Sequence, residues 1–133
     1  MYAGARDTDE IGATDRRPIR LDVTEESETE AALDRIEAGA GRLDVLVNNA
    51  GIFRRLGPLH EMDTADRDQT LGVNLRGPAL VTKHALPLLL DRVGGRVVTL
   101  PSGLGQFTGG QMGGSYPPYR LPKVGVGGLT AYL

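Results

Sequence analysis

Cysteine is absent from the 133 residues of this chain, which excludes a disulfide framework and thiolate chemistry and fits a cytoplasmic location. No apolar run approaches the ~18 residues of a membrane span, and no charged-then-apolar leader marks secretion. Charge of neither sign dominates: 15 basic and 17 acidic side chains leave a net charge of -2, so nothing favours nucleic acid or a membrane surface as partner. Histidine is scarce. His60 and His84 stand far apart in sequence, without an acidic or cysteine partner at ligand spacing, and no metal site is expected. Ser102 lacks the Gly-x-Ser-x-Gly elbow of a hydrolase nucleophile. Internal repeats are missing too.

What is present is an alternation of short aliphatic runs and helical patterns, the order expected of βα units. A hydrophobic content of 40% gives core material for one domain, taken as residues 1–133. Leu43 to Val47 predicts a strand buried on both faces, running into Asn48, Asn49, Ala50 and Gly51. Such a polar turn sits where open α/β sheets bind ligands. Arg96 to Leu100 predicts another strand, with Ser102 just past its end. Thr24 is the expected N-cap of a helix with Ala32, Leu33 and Ile36 on its apolar face, ended by Gly39 and Gly41. A longer helical pattern runs from about Thr64 to Arg92, interrupted near Gly77 and Pro78, with Leu80, Ala85, Leu88 and Leu89 for packing and a kink expected at Pro87. Gly103 to Ser115 carries six glycines and predicts a mobile loop, with Phe107, Met112 and Tyr116 as its apolar contacts. Arg54 and Arg55 are expected to form a solvated turn.

Tyr119 and Lys123 follow that loop at an i, i+4 spacing, which puts both side chains on one helix face. A free phenol titrates near ~10, whereas proton transfer works best when the group titrates close to the operating pH. An ammonium within a few Å supplies much of the difference. The chemistry implied is proton transfer to or from an alcohol or carbonyl oxygen.

Four motifs in order carry a family resemblance: Asn48-Asn-Ala-Gly51, Val73-Asn-Leu75, Val97-Val-Thr-Leu-Pro-Ser102 and Tyr119-Arg-Leu-Pro-Lys123. The chain resembles the short-chain dehydrogenase/reductase family over essentially its whole length. The resemblance implies a Rossmann-like doubly wound parallel sheet of class α/β. It implies hydride transfer between NADP or NAD and a secondary alcohol or ketone. By the same resemblance Tyr119 is the general acid/base, Ser102 orients the substrate oxygen, Lys123 assists the phenol and holds the nicotinamide ribose, and Asn74 anchors a water-linked proton path. Asn48, Ala50 and Gly51 would line the adenosine side, and Asp22 would lie near the adenine. Tyr2 to Asp7 reads as the strand and turn that choose the nucleotide; Arg6 favours NADP, while the adjacent Asp7 leaves NAD open. Family members commonly associate through the helices bearing Asn74 and Tyr119, so a homo-oligomer is one expectation.

The chain also departs from the family. It carries no Gly-x-x-x-Gly-x-Gly phosphate loop, and it stops at Leu133 inside the helix expected after Tyr119. The expected sheet is therefore incomplete: the first strand, its loop and the last strands are missing. Either the remaining strands re-pair across the gap, or the first two dozen residues hold loosely. Met1 stands where an aliphatic residue is expected, so an upstream start is a further reading of the amino end. Pro101 and Pro122 replace small hydroxyl residues, Pro122 being compatible with a helix beginning around Pro118. These departures keep a second function in view: an inactive fragment or non-catalytic partner subunit.

Overall fold

The computed structural model describes residues 1–12, 15–54, 57–91, 93–106 and 117–133. Most of the predicted glycine-rich loop, with Phe107, Met112 and Tyr116, lies outside the described residues, as does Arg55. The described chain falls into two compact units, Met1–Leu46 with Leu80–Arg96, and Val47–Ala79 with Val97–Leu133.

In the first unit, β1 (Tyr2–Ala5) and β2 (Arg17–Arg20) pair in parallel, Tyr2 opposite Arg17 and Ala5 opposite Arg20. Between them the Asp7 carboxylate accepts from the Asp9 N–H at 3.0 Å and caps a 3-10 turn, Thr8–Ile11. Helix α1 (Glu26–Ala40) follows β2 with Glu25, not Thr24, at its N-cap. The reason is local: Asp22 Oδ1 accepts both the Thr24 N–H (2.9 Å) and the Thr24 hydroxyl (2.7 Å), so the hydroxyl is used in the turn before the helix. The helix ends at Gly41, whose φ of 65° is the left-handed C-cap that glycine adopts without a Cβ clash, its N–H donating to Glu37 O at 2.7 Å. Gly39 is inside the last turn instead. A Cβ there would lie 2.6 Å from the Tyr2 phenol oxygen, so this glycine makes room for β1.

Ile19, Ala32, Leu33, Leu80, Val81, Ala85 and Leu89 form the buried core of this unit; Ile36 and Leu88 are half-buried. The last four buried residues belong to α3 (Gly77–Leu90), which continues through Pro87. From α3, Lys83 Nζ donates to Glu26 Oε1 at 2.8 Å, and His84 Nε2 lies 2.8 Å from the same oxygen and 3.9 Å from Glu30 Oε1. Thus His84 has acidic neighbours after all, 58 residues from Glu26 in sequence and adjacent in space.

In the second unit, α2 (Thr64–Leu71) starts where Asp63 Oδ1 accepts the Asp66 N–H at 3.0 Å. The predicted interruption sits earlier than Gly77: residues Gly72–Arg76 form a π turn, and Gly77 and Pro78 begin α3. Proline explains the displacement. A continuous α-helix would need the residue-78 N–H to meet the Asn74 carbonyl; Pro78 has no N–H and its ring crowds that carbonyl, so the turn widens one residue. Gly77 N–H donates to Gly72 O across it. Helix α4 (Pro117–Tyr132) begins at the first proline of the pair. Pro122 is its sixth residue, beyond the first turn, and is fully buried.

Strands β3 (Val45–Asn48) and β4 (Arg96–Thr99) form the other pair. Arg96 N–H donates to Asp44 O (3.0 Å) and Leu100 N–H to Asn48 O (3.2 Å), a constant offset that makes the pair parallel. The β1–β2 and β3–β4 pairs are separate two-stranded sheets, so the described strands do not re-pair across the expected gap. Nor is β3 buried on both faces: Val45 is 46% and Val47 55% exposed, while Asn48 is buried. Alternate side chains of a strand point to opposite faces, and only the Asn48 face is covered here. The architecture is α/β, consistent with an incomplete Rossmann fold.

The Lys83 ammonium, with the His84 ring beside it, holds the Glu26 carboxyl at about 2. A folded value depressed below the ordinary one contributes stability above the ordinary value and loses it as pH falls through the folded value. Glu26→Gln is therefore expected to lower the melting temperature slightly at pH 7, because the pair is solvent-exposed. The gap to wild type should close as pH falls from 4.5 toward 2, which a thermal melt series across that range will show.

Candidate active site

The Asn48-Asn-Ala-Gly51 turn leaves β3 with Asn48 buried and Asn49, Ala50 and Gly51 exposed. What fixes the chain beyond it is Asn74. From the π turn, its Oδ1 accepts the Ile52 N–H and its Nδ2 donates to Ile52 O, both at 2.8 Å. The side chain is 1% exposed and its amide matches the peptide group for group. Asn74 therefore acts through its side chain as a clamp on the loop.

That clamp sets the residue after it. Phe53 packs against Tyr119 with ring centroids 4.9 Å apart at 72°, an edge-to-face contact. On α4, Lys123 lies one turn beyond Tyr119, its Nζ 5.6 Å from the tyrosine ring centroid, within cation-π range. The ammonium donates to Leu100 O at 2.9 Å, which ties α4 to the carboxyl end of β4.

Ser102 stands two residues past that carbonyl. Its Oγ accepts the Leu104 N–H at 3.3 Å and caps a short 3-10 turn, Gly103–Gly105. Gly105 presses on α4: a Cβ would come within 2.9 Å of the Lys123 carbonyl carbon and oxygen. A parallel approach occurs at Gly125, whose Cβ would meet Leu75 Cδ1 at 2.8 Å, so α4 packs close on the π turn that holds Asn74. Asn48 to Gly51, Asn74, Ser102, Tyr119 and Lys123 all belong to one unit.

Arg6 and Asp22 belong to the other. Arg6 is exposed at the carboxyl end of β1, its carbonyl taking a 3.3 Å bond from Arg20 Nη1. The Asp22 carboxyl is held below its ordinary range chiefly by the Thr24 N–H, then by the Thr24 hydroxyl, which outweigh a partial burial cost; Arg6 and Arg20 add smaller contributions of positive charge. Its N–H donates to Glu28 Oε2 at 2.7 Å. Arg54, expected in a solvated turn, is exposed and also donates to Gln69 Oε1 at 2.6 Å.

Sequence reasoning did not single out Phe53, Ile52 or Gly105. Their importance comes from which residues they meet, 22 positions away for Ile52 and Asn74. Only the proximity of Phe53 to the Asn48–Gly51 motif pointed that way.

The short chain dehydrogenase family matches residues 3–133, and the chain belongs to that family. It is similar to the cis-4-hydroxycyclohexanecarboxylate dehydrogenase of Sinomonas cyclohexanicum, 42% identical over 112 residues, which are 84% of this chain and 43% of that protein. The ligand-free aldohexose dehydrogenase of Thermoplasma acidophilum superposes with a TM-score of 0.87 at 26% identity, covering 98% of this chain and 49% of that one. A gluconate 5-dehydrogenase of Burkholderia cenocepacia, solved with NADP and tartrate, gives 0.81 at 28% identity, covering 97% and 52%. The chain thus spans about half the length of these relatives. Among the described residues, no helix is long and apolar enough to cross a membrane.

Two substitutions test this packing. Asn74→Ala strands the Ile52 N–H and carbonyl and is expected to cost about 1–3 kcal/mol in urea denaturation, the penalty for unsatisfied buried polar groups. Gly105→Ala drives a methyl into the Lys123 backbone and is expected to cost about 1–3 kcal/mol, as overpacking does.

Proposed function

We propose that this chain is an NAD(P)-dependent oxidoreductase that transfers a hydride between the nicotinamide cofactor and a secondary alcohol or ketone, with Ser102, Tyr119 and Lys123 as its working side chains. The observation that carries this reading is Lys123: its ammonium is anchored on Leu100 O beside the Tyr119 ring, two residues from Ser102.

The residues fit a nicotinamide nucleotide in their donor chemistry. An ammonium has three N–H donors, and Leu100 O uses one, so others remain for ribose hydroxyls. Exposed Arg6 offers a guanidinium suited to a ribose phosphate, whereas the neighbouring Asp7 carboxylate is engaged as the cap of the Thr8–Ile11 turn. This supports NADP over NAD. The Asn48, Ala50 and Gly51 turn would serve the adenosine half. When bound, the cofactor supplies the acceptor or donor of the hydride at the carbon bearing the reacting oxygen.

The chain's own residues then handle the oxygen. In the oxidation direction the Tyr119 phenolate takes the hydroxyl proton as the carbonyl forms; in reduction the phenol returns it. The Lys123 ammonium, anchored on Leu100 O beside the Tyr119 ring, would hold the ribose. The Ser102 hydroxyl turns with little cost and can donate to the substrate oxygen, fixing its direction. The Asn74 turn would anchor water feeding protons toward Lys123; since the Asn74 side chain is committed to Ile52, that contact would be made by its backbone. Relatives named for a hydroxycyclohexane acid, an aldohexose and gluconate support a small alcohol or carbonyl substrate.

Titration with NADPH followed by nicotinamide fluorescence should saturate, and Tyr119→Phe should lower turnover about 10²–10⁴-fold while leaving nucleotide binding intact. Absence of saturable binding would overturn the assignment and favour a non-catalytic partner. Arg6→Ala should weaken NADP binding and leave NAD binding nearly unchanged; an equal loss for both nucleotides would remove Arg6 from the phosphate site.

A further inference from the structure

We propose that Phe53 sets the substrate class of this site: its ring is an apolar wall beside the reacting carbon, so a ketone or alcohol carrying a hydrocarbon ring is taken in preference to a polyol of similar size. This rests on the Ser102, Tyr119 and Lys123 reading and adds to it the chemistry of the group that flanks the reacting oxygen.

Position comes first. A substrate oxygen exchanging a proton with Tyr119 lies within about 2.6–3.2 Å of the phenol oxygen, so its neighbouring carbons reach the surroundings of that ring. Phe53 makes up part of those surroundings, edge-to-face at 4.9 Å, while 51% of its surface stays open to solvent. The Lys123 ammonium and the Ser102 hydroxyl, in the same unit, supply the polar groups, and the substrate must match both kinds of surroundings.

Fixity comes second. Phe53 follows Ile52, whose N–H and carbonyl are both held by the Asn74 amide. The backbone that carries the ring is therefore pinned. The next residue does not soften the wall, because Arg54 directs its guanidinium to Gln69 Oε1 at 2.6 Å. A hydrocarbon ring laid on the open phenyl surface removes apolar area from water on both partners. A polyol laid there loses hydration from hydroxyls that the phenyl ring cannot replace.

The test uses the whole chain with ring-¹³C tyrosine, following the Tyr119 signals by NMR during titration with cyclohexanone and, separately, with erythrulose, an open-chain hydroxylated ketone. Cyclohexanone is expected to bind about tenfold more tightly, the affinity ratio that a modest patch of buried apolar surface supports. Phe53→Ala should bring the ratio close to one, and Phe53→Leu should keep most of it. A thermal melt of each variant shows whether it folds, and the leucine variant carries the test if the alanine variant does not. Equal affinities in the wild type, an undiminished ratio in a folded alanine variant, or binding of neither ketone would overturn the proposal. The NADPH titration, run on the same samples, reports separately on the oxidoreductase reading: ketone preference without nucleotide binding sinks that reading, and nucleotide binding without ketone preference sinks this one.

Discussion

A single buried amide organises the second unit. Asn74 is 1% exposed and spends its whole hydrogen-bonding face on the Ile52 peptide. An unsatisfied amide in that position would carry the full desolvation cost, so the pairing is enforced from both sides. It joins the turn after β3 to the π turn between α2 and α3, and it delivers Phe53 onto Tyr119. The candidate site is thus assembled on a polar contact between segments that are distant in sequence.

Proline and glycine shape the rest of that unit by what they lack. Pro78 has no N–H for Asn74, and the helix responds with a wider turn at the residue whose side chain makes the clamp. Gly105 and Gly125 have no Cβ, and α4 comes close to the Ser102 turn and to Leu75. The Lys123 bond to Leu100 O then has a short reach to span. Each omission lets backbone and helix approach, and the approach brings Ser102, Tyr119 and Lys123 into one unit.

The first unit is held differently. Its core is aliphatic, from Ile19 to Leu89, and its charged edge is a Glu26 carboxylate shared by Lys83 and His84. That edge was not legible from spacing along the chain. His84 looks isolated when only near neighbours in sequence are counted, yet α1 and α3 set it against two glutamates. The β1 strand was legible only through the family resemblance, and it pairs in parallel with β2, whose Arg17 to Arg20 run carries little aliphatic signal. The burial of β3 was misjudged, because an aliphatic run says that a strand forms and says nothing of how many layers cover it.

Local chemistry was sufficient for most boundaries. The Gly41 cap, the helix from the prolines before Tyr119 and the strand leading to Ser102 all follow from backbone preferences within a few residues. Thr24 was misassigned as a cap for want of one long-range-blind detail, the competing Asp22 carboxylate two residues away. The chain's residue order alone determined the α/β class, the element sequence and the four motifs, since these depend on torsional preference and on groups close in sequence. Only the tertiary structure decided that Asn74 grips Ile52, that Phe53 meets Tyr119 and that His84 faces Glu26. Those contacts join residues tens of positions apart, and the choice among many candidate partners is made by packing and by the need to satisfy buried polar groups.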